Sequence, residues 1–250
     1  MAIIKEDIAM AVLEKTQMLS DGKDKTIYNT TDPDIYLMEF KNSVTTNDGE
    51  KRDEITGKGH VNNEISSLLF ERINGIDIKT HFIKKISDTE QLIKKLYIIP
   101  IEVVVRNYIA GSLVRRLGLD EGTPLYEPIL EFYYKDDELG DPMINTDHIR
   151  ILDIISQETE GEIKEIAFMV NETLNQIFSR IGITLVDVKL EFGLDIKGNI
   201  ILADEITPDT CRLWDIETGK KLDKDIYRRN MGDMMLGYRE VLSRLKSIRT

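Results

Sequence analysis

The sequence has a single cysteine, Cys211, among its 250 residues, and this scarcity excludes two classes of protein. One thiol cannot form an intramolecular disulfide, and it cannot supply a cysteine-rich zinc site. The cysteine content therefore fits a reducing compartment and argues against a disulfide-stabilised secreted domain.

Long apolar runs are also missing. No run approaches the ~20 apolar residues that a membrane-spanning helix requires. The first fifteen residues, MAIIKEDIAMAVLEK, are interrupted by charges and have no small-residue cleavage site, so they do not have the pattern of a signal peptide. We therefore expect a cytoplasmic protein with no membrane partner.

Basic residues are in short supply. The chain has 33 lysines and arginines against 45 aspartates and glutamates, which gives a formal net charge of −12. A non-specific nucleic-acid binder needs a broad basic surface, so we expect no nucleic-acid partner. A few focused cations can still hold phosphate ligands on an acidic protein.

Internal repeats, low-complexity tracts and linkers rich in proline or serine are absent from the sequence, so any domain boundary lies within compact structure. Apolar spacing predicts strands at 27–28, 36–40 and 98–105. Helical spacing predicts helices at 3–15, 61–73, 163–181 (ended by Gly182) and 226–245, with a short one reaching Leu117. This order predicts an α+β fold with two domains, residues 1–97 and 98–250.

The stretch 183–215, ITLVDVKLEFGLDIKGNIILADEITPDTCRLWD, is the most informative part of the chain. It predicts a hairpin, because alternating residues are followed by a Gly193 to Gly198 turn and a second apolar strand. Side chains two apart share one face of a strand. One face therefore has apolar residues, and the other has Asp187, Lys189 and Glu191.

Two interpretations of this charged face remain open. Glu191 and Asp204 lie on adjacent strands, and a hard divalent cation such as Mg²⁺ would relieve the repulsion between them. Alternatively, Lys189 pairs across the strands with these acids. A slip of one residue in register would also exchange Asp204 for Glu205, and the turn alone does not fix that register.

A second candidate site begins where the predicted strand at 98–105 ends. Arg106 and Asn107 follow the strand, and a break at Ala110-Gly111 leads into Ser112. Ligands often bind at the carboxyl ends of strands. An arginine and a hydroxyl at this position favour a phosphate-like ligand.

Two glycine turns offer weaker signals. Lys23 and Lys25 follow Gly22 and could contact nucleotide phosphates, although lysines in loops are usually solvated. The run 57–60, Gly-Lys-Gly-His, leads into a predicted helix and could bind an anion or simply cap the helix. The acidic loop at 135–141 is expected to be solvated, and Met231, Met234 and Met235 are expected in the core.

Five ordered motifs resemble the phosphoribosylaminoimidazole-succinocarboxamide synthase (SAICAR synthetase) family. They are GKDKTIY, NDGEKRDEITGKGHVNNEIS, IPIEVVVRNYIAGSLVRRLG, DDELGDPMIN and LVDVKLEFGLDIKGNIILADEITPDTCRLWD. The resemblance runs in order from Gly22 to the C-terminal helix. Only about the first 20 residues lie outside it.

The resemblance implies an ATP-dependent ligase of purine biosynthesis. Such an enzyme joins L-aspartate to the carboxylate of 4-carboxy-5-aminoimidazole ribonucleotide through an acyl phosphate, and releases ADP and phosphate. The implied fold is a two-domain α+β structure with an ATP-grasp-like nucleotide cleft. Its N-terminal domain would cover the ATP phosphates, and its C-terminal domain would hold the metal and ribonucleotide sites. Mg²⁺ as cofactor and a homodimer are also implied.

The resemblance also assigns roles to residues. It places Lys23 and Lys25 at the ATP phosphates and the backbone from Ile98 to Glu102 at the adenine ring. Glu191 and Asp204 would hold Mg²⁺, with Lys189 beside the transferred phosphate, and these three form the catalytic set. The residues implied for the ribonucleotide are Arg106, Ser112 and Arg212 at its 5′-phosphate, and Asp48, Lys58 and the 135–141 loop around the imidazole and aspartate pockets.

The chain departs from the family at Ser43, where relatives often have an acidic residue. Two rival functions are a small-molecule kinase of related fold and a non-catalytic nucleotide sensor. A kinase would release ADP without requiring both the imidazole ribonucleotide and aspartate. A sensor has little use for a lysine and two carboxylates at the γ-phosphate, so the set Lys189, Glu191 and Asp204 argues against it.

Overall fold

Two antiparallel sheets follow one another along the chain. The computed structural model describes residues 13–46, 51–76 and 78–248. The first sheet has the strand order β1-β2-β3-β7-β6. Its strands are β1 (Lys15–Asp21), β2 (Lys25–Thr30), β3 (Ile35–Phe40), β6 (Phe82–Lys85) and β7 (Glu90–Lys94), and a separate hairpin is formed by β4 (Ser43–Thr46) and β5 (Lys51–Glu54).

The second sheet is centred on one long strand, β11, which pairs with three others. Its order is β10-β9-β8-β11-β12, and β13 also pairs with β11. Its strands are β8 (Tyr97–Tyr108), β9 (Pro124–Tyr134), β10 (Met143–Ile144), β11 (Ile183–Leu194), β12 (Ile200–Ala203) and β13 (Cys211–Asp215).

Helices cover the two sheets. Those in the described residues are α1 (Lys58–Asn74), α2 (Ser112–Leu117), α3 (Thr146–Ile151), α4 (Gln157–Ser179), α5 (Asp225–Arg228) and α6 (Met234–Ser247). None of them has the length and apolar character needed to cross a bilayer. The mixture of sheets and packed helices confirms the α+β class.

Helix α4 shows how local sequence sets an element and its packing. Ser156 caps its N-terminus by accepting a hydrogen bond from the Thr159 amide. The apolar residues of one face are fully buried, as Ala167, Val170 and Leu174 illustrate, and they pack against β11 and β8. This packing leaves the opposite face of β11 to carry charged side chains.

One hydrophobic core joins both halves of the chain. It includes Ile65 and Leu69 of α1 together with Leu190 of β11 and Tyr238 of α6. The change from one sheet to the other falls between Lys94 and Tyr97, close to the expected division at 97/98. The existence of two separate domains remains a prediction.

Most of the predicted elements are present. The strands predicted at 27–28 and 36–40 lie in β2 and β3, and the helices at 61–73 and 163–181 correspond to α1 and α4. The strand predicted at 98–105 is longer at both ends, and its first residues are exposed. Most of the helix predicted at 3–15 lies outside the described residues. Strand β1, which was not predicted, is exposed along its whole length and so has no apolar pattern.

The single helix predicted at 226–245 is wrong. Asn230 and Gly232 have φ angles of 53° and 125°, which interrupt the helix between α5 and α6. The side chain of Asp233 then caps α6 by accepting a hydrogen bond from the Met235 amide at 2.8 Å. Met231 lies in this break and is 56% exposed, so its predicted place in the core is also wrong.

Two glycines provide a test of how tightly α1 packs on the first sheet. A Cβ at Gly59 would lie 2.5 Å from the carbonyl oxygen of Phe40, whereas a Cβ at Gly161 in α4 would meet nothing within 4 Å. We expect Gly59→Ala to lower the free energy of unfolding by about 1–3 kcal/mol, and Gly161→Ala to raise it by about 0.5–1 kcal/mol. Urea unfolding of both variants measures these changes, and equal effects would contradict the close contact.

Candidate active site

A cleft of about 730 Å³ lies between the two sheets. At one end its walls are apolar, with Ile27, Met38, Ile93, Leu96 and Ile98. At the other end they are charged, with Lys25, Glu102, Lys135, Lys189, Glu191, Asp204, Glu205 and Asp209. A cleft with an apolar slot beside a charged end matches a ligand that has a flat ring and phosphate groups.

Strand register brings three carboxylates together around Lys189. Glu191 of β11 pairs with Glu102 of β8 on one side and with Ala203 of β12 on the other, and Asp204 follows Ala203 directly. The Lys189 ammonium nitrogen lies 2.7 Å from Glu102 Oε1, 3.0 Å from Glu191 Oε1 and 3.9 Å from Asp204 Oδ2. The acids therefore lie close together, as the magnesium interpretation requires. They also pair with Lys189, as the alternative interpretation requires.

The structure decides which of the two adjacent acids joins this cluster. Lys25 Nζ lies 2.6 Å from Asp204 Oδ1 and 2.5 Å from Glu205 Oε1. The other Glu205 oxygen accepts a hydrogen bond from the Thr207 hydroxyl at 2.8 Å, whereas the other Asp204 oxygen faces Lys189. Asp204 has a φ of 63°, in the left-handed region, at the point where β12 ends.

The lysines and carboxylates of this cluster stabilise one another's charged forms because they lie close together. Burial opposes ionisation of Asp204, but Lys25 and Lys189 outweigh it and hold the pKa of Asp204 well below its usual range. Burial and the neighbouring Asp204 charge raise the pKa of Glu205, against the effect of Lys25. Burial would lower the pKa of Lys189, but Glu191, Asp204 and Glu102 keep it well above its usual value. Lys189 is therefore a fixed cation at neutral pH.

A second charged cluster lies farther along the same face of β11. Asp187 Oδ2 accepts hydrogen bonds from Arg106 Nη1 and Arg212 Nη1, each at 2.8 Å. Arg106 Nη2 donates to Ser112 Oγ at 3.1 Å. The other anchors of the arginines are Glu131, 2.8 Å from Arg106 Nε, and Asp225, 3.2 Å from Arg212 Nε. Arg106, Ser112 and Arg212 are thus brought together.

Gly111 allows this second cluster to form. Its φ of 57° and the absence of a side chain let the backbone approach the Arg212 guanidinium, which a Cβ would overlap. Asp187 and Glu191 are four residues apart on one strand face, a separation of roughly 13 Å. The two clusters are therefore spaced for a ligand with reactive groups at both ends.

Lys58 lies behind the cleft wall, which corrects its expected place in a pocket lining. It is fully buried at the start of α1, and its Nζ lies 2.7 Å from Asp209 and 3.1 Å from Asp24. Both aspartates do line the cleft. The lysine's helix position turns its side chain inward, where it pairs with the two carboxylates.

The remaining predicted site residues are divided between the cleft and regions not described. Lys23 lines the cleft and lies 2.6 Å from Asp137, and the 135–141 loop contributes Lys135, Asp137 and Asp141 to the wall. Lys135 also pairs with Glu191. Ser43 is buried and donates to the Lys23 carbonyl at 2.6 Å. Asp48 lies outside the described residues.

Sequence reasoning missed several residues of the cleft wall. Asp209 accepts hydrogen bonds from Asn62 at 2.6 Å and Tyr238 at 2.7 Å, and Lys224 and Arg228 also line the cleft. His81 lines it too, and burial lowers the pKa of His81 to about 3. These residues are far apart in the chain, so no spacing in the sequence indicated that they would meet in the cleft.

The hairpin carboxylates fit a magnesium ion. Glu191 and Asp204 both lie within 4 Å of one cation, Lys189 Nζ, so they already accommodate positive charge between neighbouring strands. Among the residues that the structure describes, no three acidic, histidine or cysteine side chains are arranged as a metal cage. Magnesium typically takes one or two protein carboxylates and completes its shell with phosphates and water.

Comparison with known proteins identifies the chain. The family model described as SAICAR synthetase matches residues 18–245. A phosphoribosylaminoimidazole-succinocarboxamide synthase from Lysinibacillus sphaericus (strain C3-41) is 53% identical over 233 residues, which cover 93% of this chain and 99% of the relative. The chain belongs to the SAICAR synthetase family.

Solved structures of SAICAR synthetases share the fold. The phosphoribosylaminoimidazole-succinocarboxamide synthase of Ehrlichia chaffeensis is 45% identical and superposes with a TM-score of 0.91, covering 94% of this chain and all of that one. A SAICAR synthetase in complex with ADP is 46% identical, with a TM-score of 0.90 and coverage of 94% and 99%. The expected family, fold class and enzyme class are therefore confirmed.

The buried side chain of Asp223 gives the folding stability a pH dependence. It is fully buried beside Arg212's partner Asp225, and it accepts hydrogen bonds from the amides of Leu213 at 2.8 Å and Asp225 at 2.7 Å. Burial and the Asp225 charge raise the pKa of Asp223 to about 7. In the unfolded chain an aspartate has a pKa of about 3.9.

We expect the free energy of unfolding to fall as pH rises from about 4 to about 7 because of this one group. In that window the folded state keeps a proton that the unfolded state has lost, so the slope approaches about 1.4 kcal/mol per pH unit. Asp223→Asn removes the contribution, and its lost hydrogen bond adds only an offset independent of pH. Urea unfolding across the window measures the difference, and parallel curves for the two proteins would contradict it.

Proposed function

We propose that this member of the SAICAR synthetase family carries out the family's reaction in the cleft between its two sheets. The reaction joins the amine of L-aspartate to the carboxylate of 4-carboxy-5-aminoimidazole ribonucleotide, and ATP is converted to ADP and phosphate. It belongs to de novo purine biosynthesis.

The chemistry requires activation of the carboxylate. A carboxylate does not form an amide with an amine in water, because the oxygen leaves poorly. A carboxylate oxygen that attacks the γ-phosphorus of ATP displaces ADP and gives an acyl phosphate. The aspartate amine then attacks the carbonyl carbon, the C–O bond to phosphate breaks, and the amine loses a proton. The protein contributes positioning and charge neutralisation.

Residues at the charged end of the cleft serve the phosphoryl transfer in this proposal. Lys23 and Lys25 contact the ATP phosphates, and Lys189 stabilises the phosphoryl group in transfer. Glu191 and Asp204 would hold magnesium, which neutralises phosphate charge when bound. The apolar slot, which includes Ile98, takes the adenine ring.

Residues of the second cluster hold the ribonucleotide. Arg106, Ser112 and Arg212 bind its 5′-phosphate, with the guanidinium groups held in place by Asp187 between them. The imidazole carboxylate then points back along β11 toward Lys189. Asp48 and the 135–141 loop belong to the imidazole and aspartate pockets in this proposal.

One observation carries the proposal. Asp187, Lys189 and Glu191 alternate on one face of a single strand, with Asp187 between the two arginines and with Lys189 and Glu191 in the carboxylate cluster. A phosphate-binding arginine pair and a metal-binding carboxylate pair are therefore held at a fixed separation. A nucleotide sensor would need only one of these sites.

A coupled assay of ADP release, with each substrate omitted in turn, tests the reaction. We expect ADP release only when ATP, the imidazole ribonucleotide and L-aspartate are all present, with product formed in equal amount. Stoichiometric ADP release with ATP and a single other substrate would instead indicate a kinase. No release under any condition would indicate a sensor.

Two variants test the hairpin. Lys189→Ala and Asp204→Asn are each expected to lower kcat by ~100-fold or more, because each removes charge neutralisation at the transferred phosphoryl group. Steady-state kinetics at saturating substrates measures the effect. Lys197→Ala, at an exposed position in the turn between β11 and β12, serves as a control and is expected to retain normal turnover. Near-normal kcat in both hairpin variants would remove the hairpin from the mechanism.

A pair of glycines tests the arginine cluster. Gly111 and Gly118 both have positive φ angles, 57° and 67°, but only a Cβ at Gly111 would meet Arg212. We expect Gly111→Ala to raise the KM for the ribonucleotide by ~10-fold or more, since one charge-assisted hydrogen bond supplies about that much binding. Gly118→Ala also places alanine at a positive φ, although its ψ of 28° is easier for alanine than the ψ of −125° at Gly111. It should leave this KM within about 2-fold because it makes no such contact. Equal KM values in the two variants would contradict the role of Arg212.

Assembly and location complete the proposal. Resemblance to the family implies a homodimer, which sedimentation velocity of the purified protein can test. We also propose a cytoplasmic location, where ATP and aspartate are abundant.

A further inference from the structure

Arg116 lies on helix α2, beside the cluster that contains Arg106 and Arg212. Its Nη1 donates a hydrogen bond to the Tyr133 hydroxyl oxygen at 3.3 Å, and its Nη2 pairs with Glu131. Arg106 has the same two partners. Its Nη2 lies 3.3 Å from that hydroxyl oxygen, and its Nε lies 2.8 Å from Glu131. The two guanidinium groups are therefore neighbours that share one hydroxyl and one carboxylate.

The shared hydroxyl places Arg116 near the part of Arg106 that contacts Ser112. Arg106 Nη2, which donates to the Tyr133 oxygen, also donates to Ser112 Oγ at 3.1 Å. The Arg106 side chain is almost fully buried, whereas 31% of the Arg116 side chain is exposed. Arg116 therefore remains accessible to an anion that binds at Arg106 and Ser112.

Neutralisation of Glu131 alone does not account for Arg116. The charge of Glu131 is already matched by the buried Arg106. Arg106 also pairs with Asp187, which in turn accepts a hydrogen bond from Arg212. Along this chain of contacts three arginines alternate with two carboxylates, so positive charge exceeds negative charge.

The next acid along the chain does not remove this excess. Asp225 lies 3.2 Å from Arg212 Nε, but it also lies 2.7 Å from Arg228 Nη1. Among these groups four arginines share three carboxylates. A phosphate group supplies the missing negative charge, and guanidinium groups bind phosphate oxygens through paired hydrogen bonds.

We propose that Arg116 is a further residue of the ribonucleotide site, and that its guanidinium binds the 5′-phosphate together with Arg106 and Ser112. The inference rests on the proposed function for the identity of the ligand. Glu131 and Tyr133 act as positioning residues, because they hold the two guanidinium groups side by side.

Arg116→Ala tests this role through steady-state kinetics. We expect it to raise the KM for the ribonucleotide by ~10-fold or more, since one hydrogen bond between charged groups contributes about that much to binding. The kcat and the KM for ATP should stay within about 2-fold. Arg116→Lys retains the positive charge and should bring the ribonucleotide KM back to within about 3-fold of the wild-type value.

Arg115→Ala is the matched control. Arg115 is the neighbouring residue on the same short helix, is also exposed, and carries the same charge. Its removal changes the net charge of the protein by the same amount as the removal of Arg116. We expect Arg115→Ala to leave the ribonucleotide KM within about 2-fold, because surface substitutions away from specific contacts have small effects.

A second pair of variants separates phosphate binding from pairing with Glu131. Glu131→Gln removes the carboxylate charge, and Arg116→Ala is then added to it. A contact with the phosphate predicts the same ~10-fold rise in KM in this background. Should Glu131→Gln fail to fold, the ribonucleoside without its phosphate replaces it as a probe. Arg116→Ala should leave kcat/KM for that nucleoside unchanged.

Three results would overturn the proposal: a wild-type ribonucleotide KM in Arg116→Ala, an equal rise in Arg115→Ala, or disappearance of the effect in the Glu131→Gln background. The last result would show that Arg116 only neutralises Glu131. Failure of the proposed function gives a different outcome, in which the wild-type protein forms no ligation product from the three substrates.

Discussion

The ammonium of Lys189 lies among carboxylates from three neighbouring strands, and the arrangement of the cleft follows from this contact. Burying a cation without partners is unfavourable, and so is burying two carboxylates together. Glu102, Glu191 and Asp204 solve both problems by surrounding one lysine. Lys25 plays the same part for Asp204 and Glu205 from the opposite sheet.

These pairs also prepare the site for its substrates. The phosphate chain of ATP and the proposed metal ion would bring both signs of charge, and a cleft lined by pre-oriented lysines and carboxylates can receive them with little rearrangement. The same logic holds at the second cluster, where Asp187 sits between Arg106 and Arg212. Breaking either cluster by removing one partner leaves an uncompensated buried charge, so binding and stability are coupled here.

Strand β11 gives the two clusters a common frame. Its alternation sends Val188, Leu190 and Phe192 into the core under α4, where they are almost fully buried. The same alternation sends Asp187, Lys189 and Glu191 to the cleft side. In the proposed reaction, a rigid, doubly paired strand would set the distance between the phosphate anchor and the transferred phosphoryl group. His81, in the segment before β6, is joined to this frame by the hydrogen bond from its amide to the Leu202 carbonyl.

Much of this protein was predictable from local patterns. The alternation of β11 and the helical spacing of α4 are strong periodic signals, and the hairpin acids and the arginine at the end of β8 were recognisable as site candidates. The five motifs predicted the family and the reaction that it catalyses. Predictions from helical spacing failed where the backbone conformation interrupts a helical pattern. The single helix predicted at 226–245 is interrupted at Asn230 and Gly232, because left-handed backbone there overrides favourable helical residues.

Tertiary structure alone decided which residues meet. The turn of the hairpin left open whether Asp204 or Glu205 lies beside Lys189, and in the structure both acids pair with Lys25 but Asp204 also faces Lys189. Lys58 was expected to line a pocket but is buried behind Asp24 and Asp209, since helix α1 packs its first turn into the protein. His81 gave no signal at all in the sequence. Its position depends on pairing between β7, β12 and the segment before β6, and such long-range contacts have no local pattern to reveal them.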